Sequence, residues 1–113
     1  MAGPTRLLKR QVRTIAGSSL TTSYQAVGAV VTIAAYKISI VNATTTDVNI
    51  LDGTTNDAFY IPAGSTLSIG EGLTASGQQE DTKASEPANT IYNAKLVSGA
   101  AGTGTLIITV LGY

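Results

Sequence analysis

Apolar and polar side chains alternate with a period of two over much of the chain beyond residue 20. The alternation is clearest at Tyr36, Ile38 and Ile40, which are separated by polar residues, and at Val48 and Ile50. Successive side chains of a β-strand point to opposite faces of its sheet, so this period predicts strands with one buried face. No segment beyond residue 20 has a convincing helical period.

Clusters of Gly, Pro, Asn and Asp interrupt these runs at intervals of about 8–12 residues. They include Asp52-Gly53, Pro62-Ala63-Gly64 and the segment 99–104, while the polar segment 70–89 predicts one exposed loop. The pattern predicts an all-β fold of about eight short strands, an antiparallel jelly-roll or similar Greek-key β-sandwich.

Two further apolar runs contribute to this prediction. Residues 30–34 form a β-branched run that we expect to be a strand, and residues 105–111 are the strongest strand candidate. The segment 105–111 is apolar on both faces, a pattern that favours a central strand or one that pairs with a partner.

The first 19 residues differ from the rest of the chain in charge. Four of the seven basic residues fall here, and none of the seven acidic residues precedes Asp47. The remaining three basic and seven acidic residues give the body a net charge of −4, against +4 before it. We therefore predict a basic, extended arm over residues 1–19, with a short helical turn as the alternative, outside a β-sandwich domain over residues 20–113.

The composition argues against catalysis. The chain contains no Cys and no His, which removes the commonest general base, the commonest transition-metal ligand and any thiolate chemistry. We interpret Asp47, Asp52 and Asp57 as solvated turn residues rather than as a glycosidase pair or a calcium loop. We accordingly expect no enzyme activity, no cofactor and no metal site.

Charged residues make up only 12% of the chain, about half the usual fraction of ~25%. A surface of hydroxyl and amide groups suits a protein that packs against other proteins, and we expect self-association as a dimer or a trimer. No apolar stretch is long enough for a membrane span, and no small-molecule substrate is indicated.

The basic arm is the main functional signal in the sequence. Its basic side chains would provide steering and charge-assisted hydrogen bonds to a partner protein, and its apolar side chains would provide anchoring. A tail held by its own domain and a nucleic-acid contact are alternatives, although no aromatic residue is interleaved for base stacking. The candidate partner-binding residues are Arg6, Leu7, Leu8, Lys9, Arg10, Val12, Arg13 and Ile15. Deletion of residues 2–16 is expected to leave a folded domain.

The order of strands and turns is distinctive from Tyr24 to Gly64. It reads SYQAVGAVVT, then YKISIVNATTTDVNILDGTTNDAFYIPAGSTLSI, with a closing strand from Gly104 to Gly112. This pattern resembles the small jelly-roll decoration, or cement, proteins on the heads of short-tailed bacteriophages. The resemblance implies a virion protein on the capsid exterior that bridges subunits of the major capsid protein and stabilises the shell.

The alternative within the virion is a head-fibre or tail-associated adaptor, or a carbohydrate-binding module. Sugar sites usually need exposed aromatic side chains, and most of the aromatic residues of this chain fall in predicted strands. These residues are Tyr24, Tyr36, Phe59, Tyr60, Tyr92 and Tyr113.

Overall fold

A computed structural model of the chain describes residues 9–52, 58–70 and 88–112. Most of the predicted loop 70–89 therefore lies outside the described residues. Over the described residues there are eight strands and one 3-10 turn, Gly17–Ser19. The strands are β1 (Lys9–Ala16), β2 (Gln25–Ala26), β3 (Ala35–Thr44), β4 (Val48–Asp52), β5 (Ala58–Ile61), β6 (Thr66–Gly70), β7 (Tyr92–Leu96) and β8 (Gly104–Gly112).

Within the described residues, the strands form two four-stranded sheets that pack face to face. The first sheet has the order β1-β8-β3-β6 and the second has the order β2-β7-β4-β5. All neighbouring strands are antiparallel. Most consecutive strands belong to different sheets, which is the arrangement of two Greek keys wound into a jelly roll. The predicted fold class is confirmed.

The core lies between the two sheets and is filled by every second residue of the strands. In β8, Leu106, Ile108 and Val110 are fully buried, and the residues between them are half-buried on the outer face. β8 lies between β1 and β3. Of the two arrangements predicted for a strand that is apolar on both faces, the central strand is therefore confirmed. The other fully buried large side chains are Tyr92, Leu20, Ile40, Ile50, Ile61, Leu96, Val27, Val31 and Val48.

The prediction of an arm outside the sandwich is wrong for Lys9–Ala16, because these residues form β1. All eight residues of β1 pair with β8, and Ile15 packs against the core. Lys9–Ala16 therefore belong to the sandwich, and the predicted boundary between residues 19 and 20 does not hold. Lys9–Ala16 are extended, as predicted, because they pair along one edge of β8. Deletion of residues 2–16 would remove a strand of the fold.

Two local predictions also need correction. Residues 30–34 do not form a strand; Val31 makes one bridge to Thr90, and Val31 and Ile33 are buried as parts of an irregular segment. Tyr36 does not continue the buried face of β3, since a shift in register between Ala35 and Lys37 leaves its side chain 41% exposed.

Asn42 is the most deeply buried polar side chain of the described residues, with no exposed surface. Its Nδ2 donates to the backbone carbonyls of Thr46 and Ile61, both at 2.9 Å. Its Oδ1 accepts from the backbone N–H of Thr44 at 3.1 Å and from the Thr44 hydroxyl. Every hydrogen-bonding group of the amide is thus satisfied, as a buried amide requires.

These bonds join the two sheets at one end. Asn42 belongs to β3 of the first sheet, whereas Ile61 ends β5 of the second sheet and Thr46 lies in the turn between β3 and β4. The side-chain amide of Asn42 therefore stabilises both the turn between β3 and β4 and the end of β5 in the second sheet. The match of Asn42-Ala43-Thr44 to a glycosylation sequon has no structural support, because the acceptor nitrogen is buried and bonded.

We expect Asn42→Leu to lower the free energy of unfolding by about 3 kcal/mol or more. Leucine keeps the branched shape of asparagine, but it removes the side-chain partner of the Ile61 carbonyl and of the Thr44 N–H, while the Thr46 carbonyl keeps the Thr44 hydroxyl. Each buried polar group that loses its partner costs about 1–3 kcal/mol. Urea unfolding measures the change. The matched control is Asn49→Leu on the outer face of β4, which we expect to change stability by less than about 0.5 kcal/mol. Equal stabilities for the two variants would contradict the role of this amide.

Candidate interaction surfaces

The eight predicted partner-binding residues do not form one surface. Arg10 and Val12 are exposed on the outer face of the first sheet, with Val12 45% exposed. Ile15 and Arg13 point to the opposite side of β1 and are half-buried. Lys9 is exposed at the start of the strand. The remaining three, Arg6, Leu7 and Leu8, lie outside the described residues.

Arg13 is occupied within its own chain. Its Nε donates to the carbonyl of Ala29 and its Nη2 to the carbonyl of Val30, both at 2.9 Å. Beside it, the side-chain amide of Gln11 bonds Thr32 twice at 2.8 Å, once at the hydroxyl and once at the backbone N–H. Arg13 therefore fastens β1 to the segment 29–32, a role that its sequence neighbours do not reveal.

The outer face of the first sheet is rich in small hydroxyl and aliphatic side chains, and we call it the hydroxyl–aliphatic face. The register aligns Val12, Thr109, Ser39 and Ser68 in one row across the four strands. The adjacent row contains Thr14, Ile107, Val41 and Thr66, and the face also includes Arg10, Ala16, Lys37, Ala43, Thr105 and Leu111.

Positive charge is concentrated at one end of this face. Arg10 and Lys37 both pair with Leu111, from opposite sides, so they flank it in one row. They are the charged side chains among the described residues of the face, and Lys9 is next to Arg10 in the chain. Sequence reasoning missed Lys37, because only the pairing of β1 and β3 with the same strand brings it near Arg10.

The outer face of the second sheet has a different chemistry. Asn49 pairs with Lys95 on one side and with Tyr60 on the other. Tyr24 immediately precedes β2, and the Nζ of Lys95 lies 4.9 Å from the centroid of its ring, a cation–π contact. Four side chains therefore cross the sheet in one line, which we call the tyrosine row: Tyr24, Lys95, Asn49 and Tyr60.

Tyr60 is held at its far end by Asp47. The phenol OH donates to one carboxylate oxygen of Asp47 at 3.1 Å, and the other oxygen accepts from the backbone N–H of Ala63 at 2.9 Å. This hydrogen bond to Asp47, together with desolvation and repulsion between a phenolate and the carboxylate, raises the pKa of Tyr60. The ring itself is 57% exposed. Asp47 is a turn residue as predicted, and here it orients an exposed aromatic ring.

Neither surface carries an assembled metal site. Among the described residues, no three acidic side chains come together in a group that would hold a metal ion. In the same part of the chain, no helix is long and apolar enough to cross a membrane. No family model, curated protein or solved structure matches the chain. The outer faces of the two sheets are therefore the candidate interaction surfaces of the described residues.

We expect Asp47→Asn to lower the pKa of Tyr60 back towards its ordinary value of 10.0. Because the pKa of Tyr60 is raised in the folded state, the Tyr60–Asp47 contact stabilises the fold at pH values below the ordinary pKa of tyrosine. This stabilisation is lost as the pH rises through the raised pKa of Tyr60. Ultraviolet and NMR titration of the tyrosines measures this shift. The wild-type chain is the reference, and an unchanged titration of Tyr60 in the variant would contradict the contact.

Proposed function

We propose that this protein is a virion structural protein, a decoration or cement protein that binds the outside of a bacteriophage capsid and bridges subunits of the major capsid protein. The observation that carries the proposal is the hydroxyl–aliphatic face. It is a nearly uncharged surface on a jelly roll, with a basic end formed by Arg10 and Lys37. Such a face suits docking on another protein.

The size of this face indicates how attachment would work. Eight residues of β1 and four strands correspond to about 27 Å by about 19 Å, or about 500 Å². A specific interface buries about 800 Å² on each partner. The face therefore needs additional contact area from other parts of the chain. A protein that spans two capsid subunits gains this area from both of them.

The energetic roles of the two parts of the surface differ. Exposed ion pairs each contribute only about 0–1 kcal/mol, so the basic end serves mainly to attract and orient a shell with exposed carboxylates. The transfer of the aliphatic groups of Val12, Val41 and Ile107 from water into an apolar interface is favourable. Their burial would therefore provide most of the binding free energy. The basic end of the face would therefore guide association, and the aliphatic centre would provide most of the affinity.

Further copies of the chain are the second proposed partner, in a dimer or a trimer. In the described strands, β1 and β6 are the outer members of the first sheet, and each leaves a backbone edge free to pair with another chain. Pairing between the β1 or β6 edges of neighbouring copies would place their hydroxyl–aliphatic faces side by side. That arrangement suits a shell whose capsid subunits repeat around symmetry axes.

We expect Val12→Glu to weaken binding to the shell at least tenfold, because it places a carboxylate at the aliphatic centre of the interface. The measurement is co-sedimentation of the full chain with heads assembled from the major capsid protein of the phage that encodes it. The matched control is Val97→Glu, since Val97 is 43% exposed but lies outside this face. The proposal is wrong if the wild-type chain does not bind these heads, or if both variants bind as well as wild type.

We expect Arg10→Ser to weaken shell binding several-fold at low ionic strength, and Lys37→Ser to add to this loss. The difference should almost vanish near 0.5 M salt, because the screening length is already only about 10 Å at 0.1 M. The control is Lys95→Ser, which removes the same charge from the opposite sheet and should leave the affinity unchanged at every ionic strength. Equal effects of Arg10→Ser and Lys95→Ser would show that net charge, rather than the basic end, governs attachment.

A further inference from the structure

We propose that the tyrosine row is a binding site for a neutral oligosaccharide. The row lies on the outer face of the second sheet, on the opposite side of the sandwich from the hydroxyl–aliphatic face. A chain attached to a shell through its first sheet would therefore present this row to the solvent. The inference goes beyond the proposed function and does not depend on it.

The row has the dimensions of an extended binding site. It crosses four adjacent positions of the sheet, from Tyr24 beside β7 to Tyr60 on β5. Three spacings between strands separate the backbone positions of Tyr24 and Tyr60 by about 14 Å. One ring stands at each end, and the polar side chains of Lys95 and Asn49 lie between them. An extended chain of sugar rings fits such a straight, shallow row better than a single compact ligand does.

The order of side chains matches the chemistry of sugars. A pyranose ring has an apolar face of C–H groups, which packs against the negatively polarised face of an aromatic ring. Its hydroxyl groups project from the ring edge and require both donors and acceptors. Asn49 offers both through its amide, and Lys95 offers donors. Aromatic groups at the ends and polar groups in the middle would thus contact alternate features of the same oligosaccharide.

The local charge favours a neutral ligand. Lys95 contributes one positive charge to the row, and its ammonium group already lies over the ring of Tyr24. Asp47 contributes one negative charge beside Tyr60. These charges cancel, so the site has no net attraction for an acidic polysaccharide, and the Asp47 carboxylate would repel an acidic group bound near Tyr60.

The Tyr60 ring is oriented before any ligand arrives. The Tyr60 OH is tied to Asp47, which is itself tied to the backbone of Ala63, so the ring is fixed at both ends. Little rotational freedom remains to be lost on binding, and this lowers the entropic cost of a weak stacking contact. The fold gains little from a ring that is 57% exposed, so core packing does not explain its presence or its tether.

A protein partner is the competing occupant, and the geometry favours it less. Energetically dominant residues of protein interfaces cluster at a desolvated centre surrounded by a polar rim. The tyrosine row has the reverse arrangement, because its polar groups lie at the centre and its aromatic rings lie at the ends. A protein would have to desolvate Lys95 and Asn49 between the two rings, at a cost that sugar hydroxyl groups offset by direct hydrogen bonds.

The experiment screens the full chain on an array of neutral and acidic glycans, followed by NMR titration with the neutral oligosaccharides that bind. We expect binding in the millimolar range or tighter, with the largest ring shifts at Tyr24 and Tyr60. Tyr24→Ala and Tyr60→Ala should each weaken binding about tenfold, whereas Tyr60→Phe, which keeps the ring but loses the tether to Asp47, should weaken it less. The matched control is Tyr36→Ala, which removes an exposed tyrosine from the first sheet and should leave sugar binding unchanged.

Several results would overturn the proposal: no neutral glycan bound at millimolar concentration, binding of acidic glycans alone, or equal losses in Tyr60→Ala and Tyr36→Ala. Circular dichroism and urea unfolding test whether each variant is folded; Tyr36 and Tyr60 are exposed, and Tyr24 is half-buried. Shell binding by the Tyr24→Ala and Tyr60→Ala variants should be unchanged. A failure of sugar binding with intact shell binding would reject this inference alone, and the opposite result would reject only the proposed attachment.

Discussion

The buried amide of Asn42 is the constraint on which the rest of the structure depends. Its two N–H groups hold the carbonyls of Thr46 and Ile61, which belong to the crossover and to the opposite sheet. The residues beside these carbonyls are Asp47 and Tyr60, which form the exposed hydrogen bond of the tyrosine row. One fully satisfied amide in the core thereby closes the sandwich and fixes the backbone on which the second outer face is built.

The sandwich gives the chain two outer faces with different chemistry. The first carries hydroxyl and aliphatic groups with a basic end, and the second carries two aromatic rings separated by polar groups. A sheet that buries one face leaves the other free to vary, because the core constrains only alternate residues. A small domain of this kind can therefore attach through one sheet and bind a second partner through the other.

The first strand links the proposed attachment to folding. Lys9 and Arg10 are exposed, but the same strand pairs along the edge of β8, and Arg13 fastens it to the segment 29–32. The guanidinium group of Arg13 is taken up by backbone carbonyls, so its charge acts mainly inside the domain. Basic residues that look equivalent along the sequence therefore have different tasks, and a long truncation would confuse loss of binding with loss of the fold.

The sequence by itself determined the local features of this protein: a period of two, turns at Gly and Pro, and a last strand apolar on both faces, which together predicted a jelly roll with a central β8. It also named Lys9, Arg10 and Val12 among eight candidates for partner binding, and these three are exposed. Pairing between distant strands decided the rest, because alternation assigns a residue to a face but does not say which strand lies beside it. Only the register brought Lys37 to Arg10 and aligned the tyrosine row, and only packing around a free edge turned the predicted arm into β1.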